Sequence, residues 1–225
     1  MLTLRNIYKT YHTRGVSQVV ARDLSFDFPI SGAMGLLGRN GAGKSSLLHM
    51  LSGIMRPDHG QIIRRGSVSW PVGFQGSFHP DLTGLQNTRF VARLYGVDTD
   101  RMVDFVADFA CLGAHFNLPV RSYSSGMRAR LAFAVSMGVP FDTYLIDEVT
   151  SVGDGAFRAR SERMLHDRMQ GAAAVVVSHS MDMLRRLCTS GAVLENGRMF
   201  YYARVERAIE HHTHLMQGQL PPWMR

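Results

Sequence analysis

A glycine-rich segment near residue 40 has the residue types that hold phosphate groups. Its members are Gly38, Arg39, Asn40, Gly41, Ala42, Gly43, Lys44 and Ser45, with Ser46 following. The segment fits the G-x-x-x-x-G-K-[ST] pattern, in which backbone N–H groups converge on phosphate oxygens. The lysine ammonium binds the β- and γ-phosphates, and the serine hydroxyl ligates Mg²⁺. The sequence therefore predicts a binding site for a nucleoside triphosphate with Mg²⁺.

A second segment of a kind that can bind phosphate lies far downstream, in the stretch YSSGMRARL, and forms a turn of serine and glycine. It contains Ser124, Ser125, Gly126 and Met127 at the start of a helical pattern. Backbone N–H groups at such a turn can also bind phosphate. The chain thus has two phosphate-type turns, although its length leaves no room for two independent enzymes.

Polar residues follow several apolar segments. Asp147 ends the segment TYLID, a position suited to a carboxylate that holds the metal directly or through water. Glu148 comes next and is assigned as the base that polarises an attacking water, with capping of the following helix as the alternative. Gln75, in VGFQGSF, and His179, in VVVSHS, also come directly after apolar stretches.

Apolar segments alternate with helical patterns along much of the chain. The segments GAMGLLG, TYLIDE and AAAVVVSHS read as strands that are each followed by a helix, which predicts an α/β fold with a mainly parallel core sheet. The segments LTLRNIYKTY and ARDLSFDF alternate with period two and predict an antiparallel β flank. GLQNTRFVARLYG and MVDFVADFACLGA predict helices of a helical subdomain. Ligands of such a sheet bind at the carboxyl ends of the strands.

These patterns predict one domain made of two lobes and a tail. A sheet lobe is expected at about 1–76 and 139–210, a helical lobe at about 77–138, and a loose tail at 211–225. His211, His212 and His214 have the residue type of a metal cluster. We interpret them as surface polar residues on a fraying helix end.

Composition excludes several classes of protein. The chain has 225 residues, 45% of them hydrophobic, which is enough for one substantial core. Two cysteines provide no disulfide framework, and the longest apolar run, AAAVVV, is too short to span a bilayer, so we expect a soluble protein in a reducing compartment. The net charge is +7, but the basic residues are scattered, so no nucleic-acid partner is expected.

Together these motifs resemble the nucleotide-binding subunit of ABC transporters. The matching elements, in order, are the P-loop at 38–45, the Q-loop at Gln75, the signature YSSGM at 123–127 in place of LSGGQ, the Walker B segment at 143–147, Glu148, the D-loop SVGD at 151–154 and the H-loop at His179. Ser125 and Met127 replace a glycine and a glutamine of the usual signature, and Gly153 replaces the usual D-loop leucine.

The resemblance implies a P-loop NTPase that hydrolyses ATP as a head-to-tail homodimer. The signature turn of one copy, with Asp154 of the D-loop nearby, would close over the ATP that the P-loop of the other copy holds. Lys44, Gln75, Glu148 and His179 would be catalytic, and Ser45, Gln75 and Asp147 would bind Mg²⁺. Tyr11 would stack on adenine, and Tyr8 is the alternative for that role.

Within the family, the chain is most similar to the ATPases of capsular polysaccharide export, as in SWPVGF, YSSGMRARLAF and DEVTSVGD. This implies two copies beneath two copies of a membrane permease at the cytoplasmic face of the bacterial inner membrane, with a periplasmic or co-polymerase adaptor as a further partner. The residues expected to dock the permease are Phe78, Leu82, Phe90, Leu94 and Tyr95.

Several other functions remain open at this stage. Exporters of O-antigen, teichoic acid or other ABC-2 type cargo share the catalytic motifs, but they often carry an added carboxy-terminal domain, which we do not expect here because the chain ends at Arg225. A soluble ABC ATPase that acts on nucleic acid would suit the basic charge. Such proteins generally have two cassettes in one chain or a large insertion, and neither is visible in this sequence. A P-loop kinase or GTPase would not need the signature turn.

Overall fold

The computed structural model describes residues 1–13, 16–74, 76, 78–147, 155–219 and 223. The strands are β1 (Leu2–Thr13), β2 (Val16–Asp27), β3 (Gly32–Leu37), β4 (His59–Arg64), β5 (Val68–Val72), β6 (Thr143–Asp147), β7 (Ala173–Val177), β8 (Ser190–Glu195) and β9 (Arg198–Tyr202). The α-helices are α1 (Lys44–Ser52), α2 (Gly84–Tyr95), α3 (Thr99–Ala110), α4 (Ser125–Gly138), α5 (Gly155–Met169), α6 (Met181–Leu187) and α7 (Val205–Met216).

The larger sheet has the strand order β5-β6-β7-β3-β8-β9. The pairs β6–β7, β7–β3 and β3–β8 are parallel, and β9 pairs antiparallel with β8. All residues of β7 are buried, as expected for a strand covered on both faces. Because the parallel strands share one direction, their carboxyl ends meet along one edge of the sheet. The predicted mainly parallel core is confirmed.

The smaller sheet has the order β2-β1-β4 and is antiparallel. It confirms the predicted antiparallel flank. Strands β1 and β2 pair in a register that places Tyr11 opposite Gln18. The apolar residues of this sheet, including Leu4, Ile7 and Val20, belong to the same buried cluster as Leu47 and Leu51 of α1. The core therefore fixes the flank against the helix that follows the glycine-rich loop.

Helix α3 differs slightly from the segment that the sequence predicts. It begins at Thr99, because the Asp98 side chain accepts the Arg101 N–H and caps the helix. It ends at Ala110, because Cys111 adopts the left-handed conformation at φ 50°. Cys111 is exposed and Cys188 is buried, and neither forms a disulfide.

The chain divides into two compact units. The first contains residues 1–71, 142–147 and the described residues from Met169 onward, and the second contains residues 72–141 and 155–168. The sequence placed 155–168 in the sheet lobe. In the structure Phe157 of α5 packs against Phe109 and Phe133, which explains why α5 groups with the helices.

Helix α7 corrects the prediction of a fraying end. The helix continues to Met216, and His211 is only 1% exposed. Its ring lies 3.0 Å from the Tyr202 hydroxyl and 3.7 Å from the Glu195 carboxylate. His211, His212 and His214 are therefore not surface residues of a loose tail. Among the described residues no cluster of His, Cys, Asp and Glu forms a metal site.

In the described part of the chain, no helix combines the length and the apolar character needed to cross a bilayer.

Candidate nucleotide site

The glycines of the loop between β3 and α1 are required by the backbone. Gly43 has φ 100° and lies so close to Val20 that an added Cβ atom would stand 2.5 Å from Val20 Cγ1. Gly38 has φ 151°, and a Cβ atom there would stand 2.5 Å from the Leu194 carbonyl oxygen. Side chains larger than hydrogen are thus excluded at both ends of the loop, which allows its backbone to curve around a ligand.

Helix α1 begins at Lys44, directly after this loop. Among the described residues no side chain caps its amino terminus, and backbone N–H groups at a helix start of this kind can bind an anion. The Lys44 ammonium donates hydrogen bonds of 2.8 Å to the Gly38 carbonyl and 3.1 Å to the Arg39 carbonyl. These bonds hold the charged group over the loop. The arrangement suits a phosphate chain, because N–H groups and an ammonium face the same space.

A cavity of about 420 Å³ lies at this loop. Its walls are Tyr11, Gln18, Val20, Asn40, Gly41, Gly43, Lys44, Ser45, Ser46 and His179. The Tyr11 hydroxyl lies 3.3 Å from Ser46 Oγ and 3.0 Å from Met55 Sδ, which fixes the ring in the cavity wall. Tyr8 instead packs edge-on against His59 and does not line the cavity. Of the two tyrosines, Tyr11 is thus the one beside the loop.

Asp147 and His179 stand at the edge of the sheet where the parallel strands end. Asp147 is the last residue of β6 and pairs with Val177 of β7. His179 follows β7 and lines the cavity together with Ser45. The hydroxyl of Ser45 and the carboxylate of Asp147 are hard oxygen donors of the kind that Mg²⁺ prefers, with water and phosphate oxygens completing its shell. These residue types fit a nucleotide-bound Mg²⁺.

The second turn caps helix α4 in the second unit. Ser124 precedes the helix, and its Oγ accepts the Met127 N–H at 3.2 Å. Ser125 and Gly126 begin the helix, while Leu131, Ala134 and Val135 are buried and anchor it. Helix α4 ends at Gly138.

Three predicted residues of the loop, Gly38, Arg39 and Ala42, do not line this cavity. Arg39 and Ala42 line a neighbouring cavity of about 460 Å³, which also contains Arg22 and Glu195. Gly38 supports the loop sterically without lining the cavity. Gln75, Glu148 and Asp154 lie outside the described residues.

Three residues near the site were not found from the sequence. Gln18 and Val20 of β2 line the cavity, because β2 pairs with the strand that carries Tyr11. His212 of α7 approaches the loop: burial lowers its pKa, and the positive charges of Lys44 and His179 lower it further. No local pattern in the sequence indicates either Gln18, which the register of the β1–β2 hairpin places opposite Tyr11, or His212.

Comparisons with known proteins agree with this geometry. The family model described as "ABC transporter" matches residues 21–151. The chain is 42% identical to the "ATP-binding protein BexA" of Haemophilus influenzae, over 95% of this chain and 98% of that protein. It is 41% identical to the "Capsule polysaccharide export ATP-binding protein CtrD" of Neisseria meningitidis serogroup B, over 96% of this chain and 100% of that protein.

A solved structure shares the fold at lower identity. It is the "Dimeric structure of a post-hydrolysis state of the ATP-binding cassette MJ0796 bound to ADP and Pi", with a TM-score of 0.75, 20% identity, and coverage of 89% of this chain and 98% of that chain. The family model spans more than half of the chain, and the relatives match it over nearly its full length. This chain belongs to the ABC transporter family.

Proposed function

We propose that this chain hydrolyses ATP to power export of a capsular polysaccharide through a membrane permease. The observation that supports this most is the cavity that combines the glycine-rich loop, Lys44, Tyr11 and His179 in one place. The cargo is inferred from relatives such as CtrD, whose name states capsule polysaccharide export and which matches nearly the whole chain.

ATP binds with its base on the Tyr11 ring and its phosphates in the loop at 38–45. The ring offers a flat apolar platform, and its hydrogen bond to Ser46 connects that platform to α1. The backbone N–H groups at the start of α1 and the Lys44 ammonium balance the charge of the phosphates. In this scheme one continuous wall of the first unit binds the whole nucleotide.

Hydrolysis uses residues at the sheet edge. Ser45, Asp147 and Gln75 would hold Mg²⁺, which would supply charge neutralisation for the phosphate oxygens when bound. Glu148 polarises the attacking water, and His179 and Lys44 stabilise negative charge on the transferring phosphoryl group. Gln75 would be the residue that relays the state of the nucleotide to the permease.

A second copy of the chain completes each site. Ser124 to Met127 of that copy, at the start of α4, would close over the γ-phosphate, and Asp154 is the D-loop residue proposed to act with them. Because the Ser124 oxygen accepts the Met127 N–H, its hydroxyl hydrogen is free to donate to phosphate. ATP binding thereby joins two copies head to tail with two ATP molecules between them, and hydrolysis separates them.

The permease docks on an apolar surface of the second unit that we name the α2 surface. It comprises Phe78, Leu82, Phe90, Leu94 and Tyr95. Phe90 is 57% exposed and Leu94 is 65% exposed, although both are large apolar residues. Phe78, Leu82 and Phe90 also line a cavity of about 400 Å³. Docking there holds the protein at the cytoplasmic face of the inner membrane, with an adaptor of the capsule export machinery as a further partner.

The variant Glu148→Gln tests the ATPase part of this proposal. The amide retains the shape of the carboxylate but cannot polarise water, so ATP should bind without being hydrolysed. Gel filtration with ATP and Mg²⁺ should then show a stable dimer, whereas ADP should leave a monomer. A variant that binds ATP normally but remains monomeric contradicts the proposed dimer.

The partner is tested by purifying the tagged chain from a detergent extract of cells that carry its neighbouring genes. A polytopic membrane permease should co-purify, and treatment with nuclease should not change the result. Recovery of DNA or RNA without any permease would instead support a soluble ABC ATPase that acts on nucleic acid.

A further inference from the structure

Gln18 occupies the wall of the nucleotide cavity between its two ends. On one side it pairs across the β1–β2 hairpin with Tyr11, the platform for the base. Residues paired in this way present their side chains on the same face of a sheet. On the other side the Gln18 side chain reaches Gly41 in the phosphate-binding loop. A single side chain thus connects the base end of the cavity to the phosphate end.

The amide of Gln18 is already oriented. Its Nε2 donates a hydrogen bond to the Gly41 carbonyl oxygen. Because a carbonyl oxygen can only accept, the atom facing it must be the amide nitrogen, and the Oε1 atom must point elsewhere. Within the residues that the structure describes, neither Oε1 nor the second N–H of this amide has another partner. The anchored amide therefore offers one acceptor and one donor in fixed positions.

The covalent structure of a nucleotide determines what lies beside this amide. The ribose joins the base to the α-phosphate, so it must pass between Tyr11 and the loop at Gly41. Ribose hydroxyls donate and accept hydrogen bonds, which matches the two free groups of the amide. We propose that Gln18 binds a ribose hydroxyl of the nucleotide and so favours nucleotides that carry this hydroxyl over the analogues that lack it. This inference depends on the proposed function, because it takes ATP as the ligand of the cavity.

The test compares ATP, 2′-deoxy-ATP and 3′-deoxy-ATP in calorimetric titrations of the full chain and of Gln18→Leu. Removing the hydroxyl that Gln18 contacts should weaken binding to the wild-type chain by about three- to tenfold, the effect of one hydrogen bond. The same removal should have little effect on Gln18→Leu, because the partner is already absent. This difference between the two proteins measures the contact itself.

The comparison separates a ribose contact from support of the loop. If Gln18 only held Gly41, Gln18→Leu would weaken the binding of all three nucleotides equally. That result would overturn the inference, but it would not contradict the proposal that the wild-type chain binds ATP. The matched control is Ser17→Ala on the same strand, whose hydroxyl contacts His12 at 2.8 Å; it should discriminate among the nucleotides as the wild type does. If the wild-type chain binds none of the three nucleotides, the proposed function fails and this inference fails with it.

Discussion

Ser124 can serve two purposes with one hydroxyl group. Its oxygen accepts the Met127 N–H and caps helix α4, while its hydrogen remains available to a phosphate oxygen. In the proposed dimer the positive end of helix α4 would face the same anion. This residue therefore connects a local requirement of the fold to the chemistry proposed for the partner's ATP.

The variant Ser124→Arg should abolish ATP turnover without weakening ATP binding to the isolated monomer. The large side chain prevents closure over the partner's phosphate, whereas the cavity that binds ATP is formed by residues of the first unit. Turnover and a nucleotide titration measure the two effects separately. If both activities decline together, the signature turn does not face a partner.

A control is needed because Ser124→Arg also removes a helix cap, at a cost of about 1 kcal/mol. Asp98→Ala removes the equivalent cap of α3, where the Asp98 carboxylate accepts the Arg101 N–H. This variant should lose similar stability yet keep its turnover.

The sequence predicts some residues of the site better than others for a physical reason. Lys44 and Ser45 belong to a continuous segment whose glycines are needed by the backbone itself, so their local pattern is sufficient. Gln18 enters the cavity through the register of a hairpin, and His212 through the packing of a distant helix. Such long-range placement leaves no local pattern in the sequence.

Among the elements, helix α7 shows how packing overrides composition. Its histidines suggest an exposed helix end, but Val205, Ala208 and Ile209 are buried and bring His211 into the interior with them. Burial lowers the pKa of His211, although the nearby Glu195 carboxylate opposes this shift. The rings of His211 and His212 therefore resist protonation in the folded chain.

The stability of the protein should fall as the pH falls below 6.5, the ordinary pKa of histidine. Above that pH the rings are neutral in both states. Below it the unfolded chain takes up protons that the folded chain resists until its lowered pKa values are reached. Urea denaturation at pH 7.5 and 5.5 measures the change in the free energy of unfolding.

The pH effect should be smaller in the double variant His211→Gln/His212→Gln. His115→Gln is the matched control, since His115 is exposed on the second unit, and it should keep the dependence of the wild type. If the double variant keeps the pH dependence of the free energy of unfolding, that dependence does not come from the two histidines of α7.

Helix α2 presents the α2 surface, and its sequence predicts both the helix and its start. Thr83 and Gln86 form a capping box, which fixes the first turn. The helix therefore holds Phe90 and Leu94 in the solvent without help from a partner. We propose that the permease covers these exposed apolar side chains.

The double variant Phe90→Glu/Leu94→Glu should reduce association with the permease by on the order of tenfold or more, because charges replace apolar groups in the proposed interface. ATP binding by the isolated chain should not change. Co-purification with the permease and nucleotide titration are the two measurements. Ile54→Glu places a charge at another exposed apolar residue, 53% exposed, and should leave both unchanged; an equal loss in this control would contradict the α2 surface.

At the scale of the whole molecule, the fold class could be predicted because each parallel strand is a short apolar run followed by a helix. The division into units could be predicted only in part. The polar composition of α5 does not reveal that Phe157 packs among the aromatic residues Phe109 and Phe133. Contacts between residues far apart in sequence decide such groupings, and periodicity within one segment does not report them.

The two phosphate-type turns belong to different units of the chain. The P-loop cavity is lined by the first unit, and the Ser124 turn begins a helix of the second. We propose that the P-loop of one copy meets the Ser124 turn of another copy. The first copy then holds ATP and the second closes the site. Activity then depends on association of two copies.

The most direct test measures ATP hydrolysis per molecule over a wide range of protein concentration, at saturating ATP and Mg²⁺. Shared sites predict that activity per molecule rises in proportion to concentration in the dilute range and reaches a plateau when dimers predominate. A chain that hydrolyses ATP at the same rate per molecule when diluted far below the dimer range contradicts shared catalysis.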